Sequence, residues 1–514
     1  MSTENQKELK GKHIPDENHN MDEIMKKYDK ESNVRVFKGV PSKIVITLLV
    51  AFSLFAVYMN LFALWDERVR RSLFVGFVVM ITFLLYPAKK THLEKKNYIP
   101  WYDFVLGIVG SGCYFYFVFN VDRIVKNASR ISQVDMIVGI VGILILLEAC
   151  RRSVGIPIIV VVSAFLVYAY ASNISIKKMI YNLFYTTEGV IGTPISVCCT
   201  YIVLFIIFGA FLERSGISDF FIQTANSIAG ASSGGPAKVA VISSALCGMV
   251  SGSSVANTVT TGSITIPMMK KTGYRPEFAG AVEAAASTGG QIMPPIMGAA
   301  AFLMAEMVGI PYSGIVVCAI LPAVLYFTGV FIMVHLEARR LGLQGMDKSE
   351  LPNFWAIVLK RGYLILPLVI LIWMIMGGYT MSRAALIATA AVIVISMFKK
   401  DTRITPQKAL DALQAAARST VSVAVACAVA GIIAGVVTMT GLGQILISAI
   451  VSIAGNNLII ALFFTMLSCI VLGMGLPTTA TYVIMATTCA PILVTGMNVN
   501  VLAAHMFVFY FGIV

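Results

Sequence analysis

The stretch from Gly234 to Glu306 constrains this chain more than any other. It reads GGPAKVAVISSALCGMVSGSSVANTVTTGSITIPMMKKTGYRPEFAGAVEAAASTGGQIMPPIMGAAAFLMAE. It is apolar enough for a bilayer, yet it is broken at Ser251-Gly252-Ser253-Ser254 and again at Gly289-Gly290-Gln291 with Pro294-Pro295. A broken helix in hydrocarbon strands backbone N–H and C=O groups at several kcal/mol each, roughly, unless protein or a hydrated cavity satisfies them. Interrupted helices near the midplane are how secondary transporters present backbone atoms to substrates and ions. The pattern predicts a transport site.

Composition sets the same frame. Of 514 residues, 58% are hydrophobic and 13% charged, with a mean hydropathy of +0.83, against about a quarter charged in soluble proteins. The chain reads as an all-α polytopic membrane protein whose partner is the lipid bilayer. The net charge of +13 sits largely in short loops between apolar runs, the topology signal of inner-membrane proteins, so nucleic-acid binding is excluded. The nine cysteines lie in apolar segments and predict buried thiols with no disulfide framework. No signal peptide is expected, because residues 1–39 are polar and read as a cytoplasmic tail.

Apolar runs near 42–64, 72–87, 101–121 and 134–150 predict a four-helix unit over 40–150, with loops at 65–71, 88–97 and 121–130. The rest, 151–514, reads as a transport domain. From Ser419 to Val514 there is no Asp, Glu, Lys or Arg. Its segments Ile445–Gly455, Leu458–Gly473, Ala480–Thr495 and Val501–Val514 are short for a ~30 Å core, and predict re-entrant hairpins. Two repeats, about 186–337 and 355–514, share one order: span, Ser/Thr-Gly corner, short helix, Gly-Ser/Thr break, short helix ending at Pro. An offset of 224 sets Ser254 against Thr478 and Pro267 against Pro491. Lys238, Lys270, Lys271 and Arg275 flank the first hairpin, whereas Asn456, Asn457, Asn498 and Asn500 flank the second. That asymmetry predicts entry from opposite sides, the inverted topology of transporter repeats.

The breaks concentrate uncharged oxygen donors. Ser253, Ser254, Asn257, Gln291, Thr478 and Thr479 are the candidate substrate ligands. Ser251, Ser254, Asn257, Gly289, Gly475, Thr478 and Thr481 are the candidate Na⁺ ligands, since neutral oxygens suit a hard monovalent cation and a half-helix N-terminus suits a carboxylate. Close packing through small residues is the competing use of such tracts. Glu148, Glu283 and Glu306 lie in apolar runs, where a carboxylate is functional by default. Glu283 is the candidate for proton or cation coupling, and without partners it would be held largely protonated by desolvation. Glu148 beside Arg151 and Arg152 predicts a helix-end ion pair, and His505 a satisfied buried imidazole. No nucleotide-binding loop, zinc-protease histidine pair or protease dyad is present, and no covalent cofactor is expected.

SGSSVANT, EAAASTGGQIMPPIMGAAAFLMAE and GMGLPTTATYV resemble the fused membrane subunit of TRAP (tripartite ATP-independent periplasmic) transporters of the TAXI type, from about Pro41 onward. The resemblance implies that the four-helix unit corresponds to the small membrane subunit and the remainder to an inverted-repeat, elevator-type large subunit. It implies uptake of a small organic anion, usually a carboxylate, driven by Na⁺ or H⁺ and supplied by a separate extracytoplasmic solute-binding protein. The family pattern continues past Val514 with a second unwound helix, which implies a chain truncated at its C-terminus and inactive until extended. Competing readings are a stand-alone ion-coupled carboxylate transporter, an intramembrane enzyme using Ser254 or Glu283, and a channel.

Overall fold

The computed structural model describes residues 33–89, 97–127, 130–347, 349, 351–455 and 457–513. Outside them lie the predicted tail as far as residue 32, Lys90, Lys95 and Lys96 of the 88–97 loop, Asn456, and Val514. Among the described residues every regular element is a helix. In chain order they are α1 (Val40–Leu61), α2 (Glu67–Leu85), α3 (Trp101–Asn127), α4 (Gln133–Ser153), α5 (Ile156–Ala171) and α6 (Ile176–Ile180). Then follow α7 (Thr193–Arg214), α8 (Ile217–Ala229), α9 (Gly235–Ser251), α10 (Ser254–Thr272), α11 (Pro276–Gly289), α12 (Ala299–Val308) and α13 (Tyr312–Arg340). The last are α14 (Phe354–Met376), α15 (Met381–Ser396), α16 (Pro406–Thr440), α17 (Leu442–Ala454), α18 (Leu458–Gly473), α19 (Thr478–Thr488) and α20 (Val501–Ile513). Eight described helices are long and apolar enough to cross a membrane, so the chain is an all-helical, multi-pass membrane protein.

Three boundaries differ from the sequence reading. Residues 67–71 begin α2, not a loop, because the Asp66 carboxylate accepts from the Arg68 N–H at 2.8 Å and caps the first turn. Residues 121–127 extend α3, where Arg123 reaches across to Asp135 at 2.6 Å. The 480–495 run belongs to a 19-residue apolar helix, Thr478–Gly496, long enough to span. Pro477 precedes its first turn, where a missing N–H costs nothing.

The spine is α16, 35 residues long and about 50 Å at ~1.5 Å per residue. In its most apolar window 89% of residues are buried inside the protein, so protein, not lipid, surrounds it. Its composition explains how. At Gly431 a Cβ would lie 2.4 Å from the Gly189 carbonyl oxygen, and at Gly435 2.6 Å from that of Glu188. The 186–192 loop therefore runs directly on the helix backbone, and Ala424, Ala426, Ala428 and Ala430 are buried along the same helix. Helix α1 packs on this spine, with Ser53 Oγ donating to the Leu413 carbonyl at 2.8 Å, and its Asn60 Nδ2 donates to Cys199 on α7 at 2.8 Å.

A buried ionic network fastens the ends of α2, α3 and α4 to the segment before α1. Asp103 binds Arg35 on one side and Arg152 on the other, the latter at 2.6 Å, with all three side chains at most 2% exposed. Arg152 continues to Glu148 at 2.7 Å, and Glu148 binds Arg151 at 2.7 Å, which is the helix-end pairing expected for Glu148. Arg35 also donates to the last carbonyls of α2, Phe83 at 2.6 Å and Leu84 at 2.9 Å. Removing Asp103 leaves Arg35 charged and buried without its ion-pair partner and takes one of two partners from Arg152. Asp103→Ala should therefore destabilise the protein by about 3–5 kcal/mol, read as a fall in melting temperature of the detergent-purified chain, whereas Glu337→Ala in the exposed pair with Arg340 should leave it nearly unchanged.

Candidate functional site at the two helix breaks

Helix α9 stops at Ser251 because Gly252 turns left-handed, at φ 59°, with its N–H on the Gly248 carbonyl at 3.0 Å. Helix α10 then starts with Ser253 as cap, its Oγ accepting from the Ala256 N–H at 3.3 Å. The second break is a true unwinding. Helix α11 ends at Gly289, a single 3₁₀ turn covers Gly290–Ile292, and the helix resumes at Ala299. The freed backbone groups are satisfied inside the protein: Gly298 N–H donates to Gln291 O at 2.7 Å, and Tyr312 OH to Pro295 O at 3.0 Å and Ile296 O at 2.5 Å.

The two breaks touch. A Cβ on Gly252 would sit 2.4 Å from the Met297 carbonyl oxygen, and one on Gly248 2.3 Å from the Gly290 Cα. Only glycine permits backbones that close. At this junction Gln291 Nε2 donates to Ser254 Oγ at 2.8 Å, and Asn257 Nδ2 to the Ser244 carbonyl at 2.8 Å. Asn257 and Gln291 are 1% and 6% exposed, yet among the described residues neither Asn257 Oδ1 nor Gln291 Oε1 has a hydrogen-bond partner. Two buried carbonyl-type oxygens without donors call for a cation or a donor that the chain itself does not supply.

Glu283 is fully buried but not without partners, which corrects the picture of an isolated carboxylate. Ser244 on α9, Thr261 and Thr265 on α10, and Ser287 on α11 all bind it, at 2.9 Å for Ser244, 2.5 Å for Thr265 and 3.0 Å for Ser287. It fastens the hairpin to the helix that carries the second break. Thr261 and Thr265 also lie within hydrogen-bond distance of the Asn257 and Thr261 carbonyls. Each of these two hydroxyls thus faces both the Glu283 carboxyl group and the helix backbone.

A cavity of about 200 Å³ opens between the first hairpin, the unwound segment, α7 and α16. Ser251, Ser253 and Asn257 line it, as do Glu213 on α7 and Thr260 on α10. Thr260 Oγ1 lies 3.5 Å from Glu213 Oε1. Sequence reasoning passed over Glu213, because a Glu-Arg pair ending an apolar run before Ser215-Gly216 reads as an ordinary helix end. Ser254 and Gln291 lie behind the tip and do not line this cavity. Gly289 has a packing reason of its own, since its Cβ would lie 2.6 Å from the Tyr326 ring. Glu306 is exposed.

The second hairpin is built alike but stands apart from that cavity. Gly475 turns at φ 83°, Pro477 precedes α19, and Thr478 and Thr479 form its first turn. Thr479 and Thr481 are buried, and Thr481 Oγ1 has no partner among the described residues. At Gly473 a Cβ would meet the Gly512 carbonyl oxygen at 2.6 Å, a glycine contact placed close to the repeat offset from Gly248 and Gly290. None of Gly475, Thr478, Thr479 and Thr481 lines the first cavity. His505 is paired as expected, its Nδ1 2.8 Å from Tyr482 OH.

Residues 141–514 match the family model described as the tripartite ATP-independent periplasmic transporter, DctM component. A putative TRAP transporter large permease protein of Haemophilus influenzae is 27% identical over 290 residues, 56% of this chain and 67% of the relative. The C4-dicarboxylate TRAP transporter large permease protein DctM of Pseudomonas aeruginosa is 26% identical over 225 residues, 44% and 51%. The sialic acid TRAP transporter large permease protein SiaM of Vibrio cholerae is 22% identical over 316 residues, 61% and 71%. The chain thus spans between 51% and 71% of the length of these three relatives.

The contact between the breaks makes a direct prediction. Gly252→Val adds a side chain where the Met297 oxygen already stands, at a φ that β-branched residues avoid. Hydrogen exchange of the 290–298 segment should accelerate in that variant while exchange in α16 stays as in the parent protein. Unchanged exchange at 290–298 would mean that the two breaks do not support each other.

Proposed function

The chain belongs to the DctM component family of tripartite ATP-independent periplasmic transporters, and from that premise we propose that it is the permease of a Na⁺-driven importer of a small organic carboxylate. Transport, not catalysis, is the activity of this family. We assign the permease to the inner membrane and to the TAXI type, with the substrate delivered by a separate extracytoplasmic solute-binding protein. The match begins at residue 141, inside α4, so α1–α3 lie wholly before it, and in this reading the four-helix unit over 40–150 corresponds to a fused small membrane subunit. The printed substrates of the relatives, C4-dicarboxylates and sialic acid, support an organic acid as cargo.

The observation that carries the coupling ion is the pair of buried amide oxygens, Asn257 Oδ1 and Gln291 Oε1, that have no partner among the described residues where the two breaks meet. Amides and hydroxyls do not titrate at physiological pH, so a proton has nothing to bind there, whereas a cation takes oxygen ligands. The second hairpin, with Gly475, Thr478 and Thr481, supplies the related site of the second repeat in this account, and the two hairpins move as one body past α16. A stand-alone carboxylate transporter would work without any binding protein. That outcome separates the two readings.

Reconstituted as a full-length permease with its binding protein and an inward Na⁺ gradient, the protein should take up substrate. Ser254→Leu or Thr478→Leu should reduce uptake to background while membrane abundance stays unchanged. Normal uptake by both variants would contradict a role for the hairpin tips. Proton coupling through Glu283 is the second reading, favoured by a carboxyl group fully buried among the hydroxyls of three helices. It predicts that Glu283→Gln flattens the pH dependence of uptake. Superimposable pH profiles would leave Glu283 as the fastening of three helices.

A further inference from the structure

Lys238 is a buried cation with no counter-charge in view. It stands in the first turn of α9 and is 5% exposed, yet among the described residues it forms no ion pair. Its ammonium donates to Ser232 Oγ at 3.2 Å and lies over the Phe331 ring of α13, 5.4 Å from the centroid. An ammonium carries three donors, and a charge taken out of water needs an opposite charge beside it. The helix adds to the cost, because the positive end of the α9 dipole repels a cation in the first turn.

Further cations gather at the same place. Gly234, at the head of α9, abuts α13 so closely that a Cβ there would lie 2.3 Å from the Ala338 Cβ. Arg339, the next residue, acts electrostatically on Lys238, and both act on His335. His335 lies one turn from Phe331 and one turn from Arg339, and its Nδ1 is buried with no partner among the described residues. The carboxylates of this region are engaged elsewhere: Glu337 pairs with Arg340 at 3.0 Å, and Asp347 accepts the Ser349 N–H at 3.1 Å.

We propose that Lys238, His335 and Arg339 hold the phosphate group of an anionic phospholipid at the open end of the first hairpin. A phosphate supplies the missing charge, its oxygens accept from all three side chains, and it suits the N-terminus of α9. The surface beside the cluster favours a lipid over free phosphate. Ile332, Met333 and Leu336 of α13 are large, apolar and exposed. Ile332, Leu336 and Arg339 follow the i, i+4, i+7 spacing of one helix face, so an acyl chain has an apolar track that leads to the guanidinium. Basic pockets between membrane helices are where anionic headgroups bind. The site depends on neither the cargo nor the coupling ion proposed above.

The test uses the purified full chain in detergent, with thermal stabilisation titrated against dioleoylphosphatidylglycerol, dioleoylphosphatidylcholine and inorganic phosphate at equal ionic strength. Phosphatidylglycerol should half-saturate at a concentration about tenfold below phosphatidylcholine, the scale of one hydrogen bond to a charged group. That preference should be lost in Lys238→Met and also in Arg339→Gln, whose site is exposed and tolerant of substitution. It should be kept when Lys270→Gln and Lys271→Gln together remove two exposed charges from the end of α10. Equal response to the two lipids, a preference that survives either single substitution, or one lost equally in the Lys270 and Lys271 variant overturns the inference. Inorganic phosphate should give no comparable shift at the same concentration. An equal shift would assign the cluster to free phosphate and overturn the lipid.

Discussion

Everything at the centre of this protein depends on one constraint: a polypeptide that leaves the helix inside a membrane must satisfy its backbone from within. Here each break is satisfied locally, Gly252 N–H on the Gly248 carbonyl and Gly298 N–H on that of Gln291, and the two breaks pack on each other. Gly252 lies on the Met297 carbonyl, and Gly248 lies on Gly290. Tyr312, from the next helix, donates to two carbonyls of the unwound segment. Once these contacts are made, Asn257 and Gln291 are buried at the junction with an oxygen each to spare. The polar site is therefore a by-product of how the breaks are stabilised, and each glycine that permits the contact also helps to form the site.

A second consequence concerns how such a hairpin is held without being locked. Hydroxyls of three helices gather on Glu283, so the hairpin and α11 form one body. The contacts of that body with α16 and α7 include a cavity with solvent-sized room, whereas farther along α16 loop backbone lies directly on Gly431 and Gly435. Helices α2 to α4 are fastened at their ends by the Asp103 network.

Much of this was legible in the sequence. Helical spans follow from apolar length, and the breaks follow from Gly, Ser and paired Pro in runs that otherwise exclude them. The pairing of Glu148 with Arg151 and Arg152 follows from i,i+3 and i,i+4 spacing. Contacts between distant segments were not legible. Nothing in the spacing of Ser244, Thr261, Thr265 and Ser287 announces that they converge on Glu283, because each hydroxyl reads equally well as a packing residue that bonds its own helix. Arg35 and Asp103 were missed because each stands alone in its segment, and Glu213 because a charged residue at the end of an apolar run is ordinary. The Thr478–Gly496 helix was read too short because its threonines resemble a loop tip.

The central claim is that the junction of the two breaks is a cation site, and it is tested most directly by the melting temperature of the purified chain in Na⁺ against K⁺ or choline at equal ionic strength. A ligand that binds only the folded state raises stability with its concentration. The account predicts a saturable, Na⁺-specific rise that is lost in both Asn257→Leu and Gln291→Leu, each compared with its own value in K⁺. Identical melting in Na⁺ and K⁺, or a Na⁺ effect that persists in both variants, would contradict it.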